Sequence, residues 1–358
     1  MPTSALRTSL DAALLDFAWS EWAQMGVFAS ASRSSPWAVD PEALIVFTLE
    51  IARDDPRLFD ELLDWLLRNE PLVSVRRLRS FAVDPEDRLL VDGALAWVGA
   101  HRPRARLRGR RLPQPSGEPV PLFTESGFPM REPDPSFLSV GFLRPPVEPS
   151  AKSQAPDLRA PINFAFRLRQ VLGLGARAEV ARLLLTSAAP SMSTAELGAG
   201  AGYARRNVLD AVGVLQEGGV VSAVRGAGGQ RFAIDRGAWA GLLGLGVEEL
   251  PEARAWPQLL GALVHMRRWL RDVESQELSD YMRASRARDL LEEIAMPLSI
   301  AGVEIARSPG VETAWSDLER TVASAVAALR VRNSPARQPP RRRPPARRSA
   351  GAVERLAR

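Results

Sequence analysis

Cysteine is absent from the 358 residues, lysine occurs once (Lys152), and histidine and tyrosine occur twice each. Without cysteine there is no disulfide framework, no thiolate zinc site and no cysteine nucleophile. His101 and His265 are too far apart in sequence to form a local metal motif. The first ends an expected helix and the second lies within an amphipathic one, so neither is expected to be a ligand or a catalytic base. No run of 18 apolar residues occurs, and the N-terminus lacks a basic stretch followed by an apolar one. The expectation is a cytoplasmic chain without membrane contact. A G-x-S-x-G elbow and a Walker loop are also missing, so nothing argues for an enzyme, and no metal or cofactor is expected.

Arginine and proline are plentiful and unevenly placed. The net charge of +5 conceals an alternation along the chain. Residues 1–101 carry 9 arginines against 16 acids, and residues 102–175 carry 12 basic groups against 6 acids. Segment 176–236 has 7 against 5, and residues 332–358 have 9 against 1. Positive charge therefore gathers in the middle and the tail, beside acidic helical regions that are not expected to face a polyanion broadly.

Apolar spacing predicts helices through most of the chain. Leu10, Ala13, Leu14 and Phe17 recur at helical intervals. Asp40-Pro41, Asp55-Pro56 and Asp84-Pro85 each place an N-cap before a proline at the first helical position. The third of these helices is expected to point Leu89, Leu90, Ala94 and Trp97 inward. Residues 1–101 are expected to form an acidic α-helical domain, and 102–160 an Arg/Pro-rich linker with a short extended piece at 137–142. Residues 161–245 form the central unit and 246–331 a C-terminal helical region. Its amphipathic stretches, 256–273 and 313–331, could form a dimer seam. Residues 332–358 are expected to be a disordered basic tail. The acids Asp84, Glu86, Asp87 and Asp92, and Asp54, Asp55, Asp60, Glu61 and Asp64, read as solvated helix starts that offset the macrodipole.

The central unit is the most specific signal. A helix over 177–187 buries Val180, Leu183 and Leu184. Ser193 and Glu196 make a capping box for a second helix. Gly198 is expected to be the small residue at the helix crossing and Gly202 the turn residue of positive φ, with Val208 in the core of a third helix over 203–217. Gly218-Gly219 stops that helix. Two alternating runs, 220–225 and 230–234, flank a glycine turn and read as a hairpin.

Ser193-Thr194-Ala195-Glu196-Leu197, Gly202-Tyr203-Ala204-Arg205-Arg206-Asn207-Val208 and Leu215-Gln216-Glu217-Gly218-Gly219-Val220-Val221 resemble the core of winged helix-turn-helix regulators, broadly the MarR-like and ArsR-like bacterial groups. The resemblance covers about 60 residues, from about 176 to 236. It implies a mainly α protein in which a winged helix-turn-helix, three helices plus a two-stranded wing, lies between helical N- and C-terminal domains. It also implies a transcriptional regulator that binds double-stranded DNA as a homo-oligomer.

In that motif the start of the third helix enters the major groove, which nominates Tyr203, Arg205, Arg206 and Asn207. One arginine could read guanine while the other holds a phosphate, and Asn207 could pair with adenine. Thr194 is placed for phosphate, and Arg225, Gln230 and Arg231 flank the wing tip at 225–231. The rival reading is an antitoxin-like or defence-associated interaction module, with a protein partner held through the N-terminal helical domain. Gly173, Gly175 and Ala178 also fit a dinucleotide fingerprint after the alternating run Ile162, Phe164, Phe166 and Leu168. The second strand and its acid are missing, which argues against that fold.

Overall fold

The computed structural model describes residues 2–29, 35, 37–105, 117–124, 131–226, 229–252 and 254–330. The arginines at 106–111, residues 227–228 of the expected wing and the basic segment from 332 lie outside the described residues. The described residues are mainly helical, 64% helix and 7% strand, so the sheet is confined to small pieces.

The N-terminal helices are α1 (Thr3–Gln24), α2 (Pro41–Ile51), α3 (Pro56–Asn69), α4 (Val75–Phe81) and α5 (Pro85–His101). Each Asp-Pro start works as expected. Asp40, Asp55 and Asp84 accept from the amides of Ala43, Leu58 and Glu86, with proline at the next position. Helix α2 is buried on every side, as expected for a helix at the centre of a core. Leu89 differs from expectation. It is 38% exposed, because α5 turns Leu90, Ala94 and Trp97 inward and leaves Leu89 on the outer side.

Next come β1 (Val120–Pro121), α6 (Pro135–Leu138) and β2 (Phe142–Leu143), with β1 and β2 pairing in parallel. The described residues of the region expected to be a linker therefore pack onto the helices. Buried Arg144 lies among the rings of Phe59, Phe123 and Phe137, at 5.6, 5.4 and 5.2 Å from their centroids, and pairs with Asp60 at 2.7 Å. The extended piece expected at 137–142 is mostly the end of α6 and a turn, with only Phe142 in a strand.

Helices α7 (Phe164–Leu172) and α8 (Ala176–Thr186) are followed by β3 (Met192–Ser193), α9 (Thr194–Ala201), α10 (Arg205–Glu217), β4 (Val221–Gly226) and β5 (Gly229–Ile234). The strand order is β3-β5-β4, antiparallel throughout. The alternating run before Gly173 is helical, since α7 carries Phe164, Phe166 and Leu168. Five α-helices follow among the described residues: α11 (Arg236–Leu242), α12 (Trp256–Glu274), α13 (Asp280–Glu293), α14 (Ala295–Ile300) and α15 (Ala314–Leu329).

Two apolar clusters organise these elements. One joins residues from α1–α5 to residues from α12–α15, so the first and last described helices build a single core. Phe17 stacks on Trp256 at 5.7 Å, and the Trp256 indole donates to the carbonyl of Ala38 at 2.9 Å. The second cluster belongs to the segment from α7 to Leu250, with Ala38 joining it. The apolar positions of α12 and α15 expected to form a dimer seam are used inside the molecule. Leu259, Leu263, Leu270, Leu318 and Val322 are all at most 4% exposed. Among the described residues no helix is long and apolar enough to cross a membrane.

Candidate nucleic-acid interface

The segment from α8 to β5 is built by local rules. Ser193 accepts from the Glu196 amide while the Glu196 carboxylate accepts from the Ser193 amide, so α9 opens on a complete capping box. Gly202 ends α9 with φ +65°, a conformation that favours glycine. Gly198 is not held at a close helix crossing, and the glycine of α9 that packs closely is Gly200, against α8 and not α10. A Cβ on Gly200 would meet Leu183 of α8 at 2.9 Å, whereas one on Gly198 would meet nothing within 4 Å. Val208, Ala211, Val212 and Leu215 are the buried stripe of α10.

The eight side chains nominated for DNA fall into two groups. Arg205 and Arg206 are exposed at the first turn of α10, and Arg225 and Gln230 are exposed opposite each other in the hairpin. Thr194, half-buried, begins α9. The other three are engaged within the molecule. Tyr203 precedes α10 instead of lying on it; its hydroxyl is 3.2 Å from Ser74 Oγ and its ring lies under Arg76. Asn207, with its amide oriented to accept, takes hydrogen bonds from both terminal nitrogens of Arg76. Arg231 donates to Ser191 Oγ and Ser191 O at 3.1 and 2.7 Å and pairs with Glu196 at 3.0 Å, tying the hairpin to the loop before α9. The Glu196 carboxyl is held below its usual range, first by its bond from the Ser193 amide and then by Arg231. The N-terminus of α9 thus already carries a carboxylate where a phosphate was expected.

The turn between α9 and α10 is seated on α4. Arg77 Nε donates to the Ala201 carbonyl at 2.8 Å, and Ser80 Oγ donates to the Gly202 carbonyl at 3.0 Å. Beneath this contact lies an ion cluster of Asp40, Glu42, Arg77, Arg169, Glu179 and Arg182, none with a side chain more than 2% exposed. Arg169 reaches Glu42 and Glu179 at 2.7 Å each, and Arg182 reaches Glu179 at 2.8 Å and Asp40 at 3.2 Å. Arg77 bonds both Asp40 and Glu42. Burial alone would raise the Glu179 carboxyl, but Arg77, Arg169 and Arg182 together hold it well below the usual carboxylate range. Removing one member of such a cluster strands buried charge, at a cost of about 3–5 kcal/mol. Three acids and three arginines from α2, α4, α7 and α8 thereby fix the orientation of the central unit on the helical body.

The acids expected to be solvated are largely counter-ions. Arg267 on α12 reaches Asp11 at 2.8 Å and Glu50 at 3.0 Å, and it also bonds Asp54. Arg268 reaches Glu50 at 2.9 Å and Asp87 at 2.5 Å. Asp92 pairs with Arg79, Glu86 with Arg53, and Asp64 accepts from the amides of Ala151 and Ser153. Among the described residues no group of histidines and acids converges as a metal site. Of the histidines, His101 packs on Trp97 at 4.1 Å and exposed His265 lies 2.9 Å from Glu293.

Sequence reasoning missed Arg76 and Arg77, the α4 residues that hold the turn. Their signal was weak: a basic triplet, Arg76, Arg77 and Arg79, inside an acidic region. Comparison of the chain with protein-family models, curated proteins and solved structures finds no match.

Proposed function

We propose that residues 176–234 are a winged helix-turn-helix and that the protein binds double-stranded DNA as a transcriptional regulator. The observation that carries this reading is the order of elements. Helix, short strand, two helices and a hairpin, with the short strand pairing beside the hairpin in the order β3-β5-β4, is the arrangement such a module requires. The turn glycine Gly202 and the exposed pair Arg205 and Arg206 lie where the motif meets the major groove. Arg205 and Arg206 read or hold the duplex, and Arg225 and Gln230 approach the backbone or minor groove beside them. Tyr203, Asn207 and Arg231 brace this surface from behind, and Arg76 stands next to it.

A second reading has its own support. Beyond the first turn, the outer face of α10 carries Leu209 and Val214, 45% and 49% exposed, beside Asp210 and Glu217. Apolar and acidic groups suit a protein partner better than a phosphate backbone. The antitoxin-like module therefore stands as the alternative, with α10 rather than the N-terminal helices as its contact.

A mobility-shift experiment with the DNA upstream of the protein's own gene separates the two. A salt-sensitive shift that disappears with the double substitution Arg205→Ala and Arg206→Ala is the expected result. Absence of DNA binding, together with stable co-purification of a neighbouring gene product that Leu209→Asp releases, would establish the alternative instead.

A further inference from the structure

A cavity of about 500 Å³ opens where the turn of the central unit meets the helical body. Its walls come from three parts of the chain. Val46 and Phe47 of α2 with Phe81 of α4 form one side, and Leu260 and Val264 of α12 the second. Ala199 of α9 and the turn residue Gly202 close the third. The volume and the mainly apolar lining match those of small-molecule sites, which span about 300–1,000 Å³ with a few placed polar groups.

A glycine in the wall points to an occupant. Gly261, in the middle of α12, borders the same space, and a Cβ there would meet nothing within 4 Å. Glycine weakens a helix interior, and no close neighbour demands it here, yet any larger side chain would project into the opening.

We propose that this cavity is a binding site for a mainly apolar small molecule, neutral or singly cationic. The rim sets the charge preference. Asp84 and Asp87 face it with Arg268 between them, and His265 on the same rim faces Glu293. An anion would meet more carboxylates than cations. Because Ala199 and Gly202 form one wall, an occupant presses the turn before α10 against α2 and α12. Its effect on DNA rests on the DNA-binding reading; the site itself does not.

The site is tested on the full chain without DNA by titration with Nile red, an uncharged apolar dye whose emission brightens and shifts to the blue in a dry pocket. The expected result is saturable binding of one dye per chain. Gly261→Leu, which fills the opening from α12, should leave the melting temperature equal or higher and weaken the dye at least tenfold. Ala199→Leu should do the same from the opposite wall, and it decides the matter if the first variant melts early. No saturable binding by the native chain, or unchanged affinity in a folded variant, would overturn the proposal.

Discussion

Glu21 is a carboxyl 6% exposed on α1, with a buried oxygen that has no hydrogen-bond partner, and burial pushes its pKa up to about 8. A raised acid binds its proton more tightly in the folded state, so its contribution is fully present below the ordinary carboxylate range. It is lost as pH rises towards 8. Glu179 has the opposite sign. Its carboxyl is held low by three arginines, so its contribution is present at neutral pH and is lost as pH falls below the ordinary carboxylate range. Chemical denaturation of Glu21→Gln across pH 5 to 9 should show a flatter alkaline limb, with a gain on the order of a few kcal/mol at the upper end. Its acid limb should be unchanged. An alkaline limb identical to that of the native chain would show that Glu21 is not the group responsible.

Individual elements were legible wherever their cause was local. Asp-Pro starts, the Ser193–Glu196 box and the positive φ at Gly202 each depend on a few adjacent residues, and each appears where the spacing placed it. What the spacing could not reveal were the partners of the charged groups. Glu42 pairs with Arg169 and Glu50 with Arg267, across separations that no periodicity encodes. Acids read as solvated helix starts are for this reason counter-ions, and the stripes of α12 and α15 face the core instead of a second subunit. A clue was present in α2, where Glu42 and Glu50 stand in an otherwise apolar run and need cations from elsewhere if that run is buried. The turn between α9 and α10 supplies a test at this scale. Gly202→Ala forces a strained φ and brings a Cβ to 2.7 Å from the Phe81 ring. It should cost about 1–3 kcal/mol and speed hydrogen exchange in both α4 and α10. Faster exchange in α10 alone would mean that the turn does not hold the two together.

For the whole molecule, the consequential feature is that the first and last described helices make one core with the central unit mounted on it. A fragment of residues 1–105 loses the packing of α12 and α15 against α1 and α2. It should therefore lack a cooperative melt and bind apolar dyes, whereas a sharp native-like transition would show that the first helices stand alone. Mounting also narrows the proposed DNA surface. Asn207 and Tyr203 are occupied by α4, which leaves Arg205 and Arg206 as the groups free to meet the duplex from the start of α10. The most direct test of that claim is the salt dependence of DNA binding by fluorescence anisotropy, for the native chain and the Arg205→Ala, Arg206→Ala pair. For the native chain log K should fall linearly with log salt, and the double substitution should reduce the slope by about 2 as two phosphate-range charges are lost. The same slope and affinity in both proteins would contradict it.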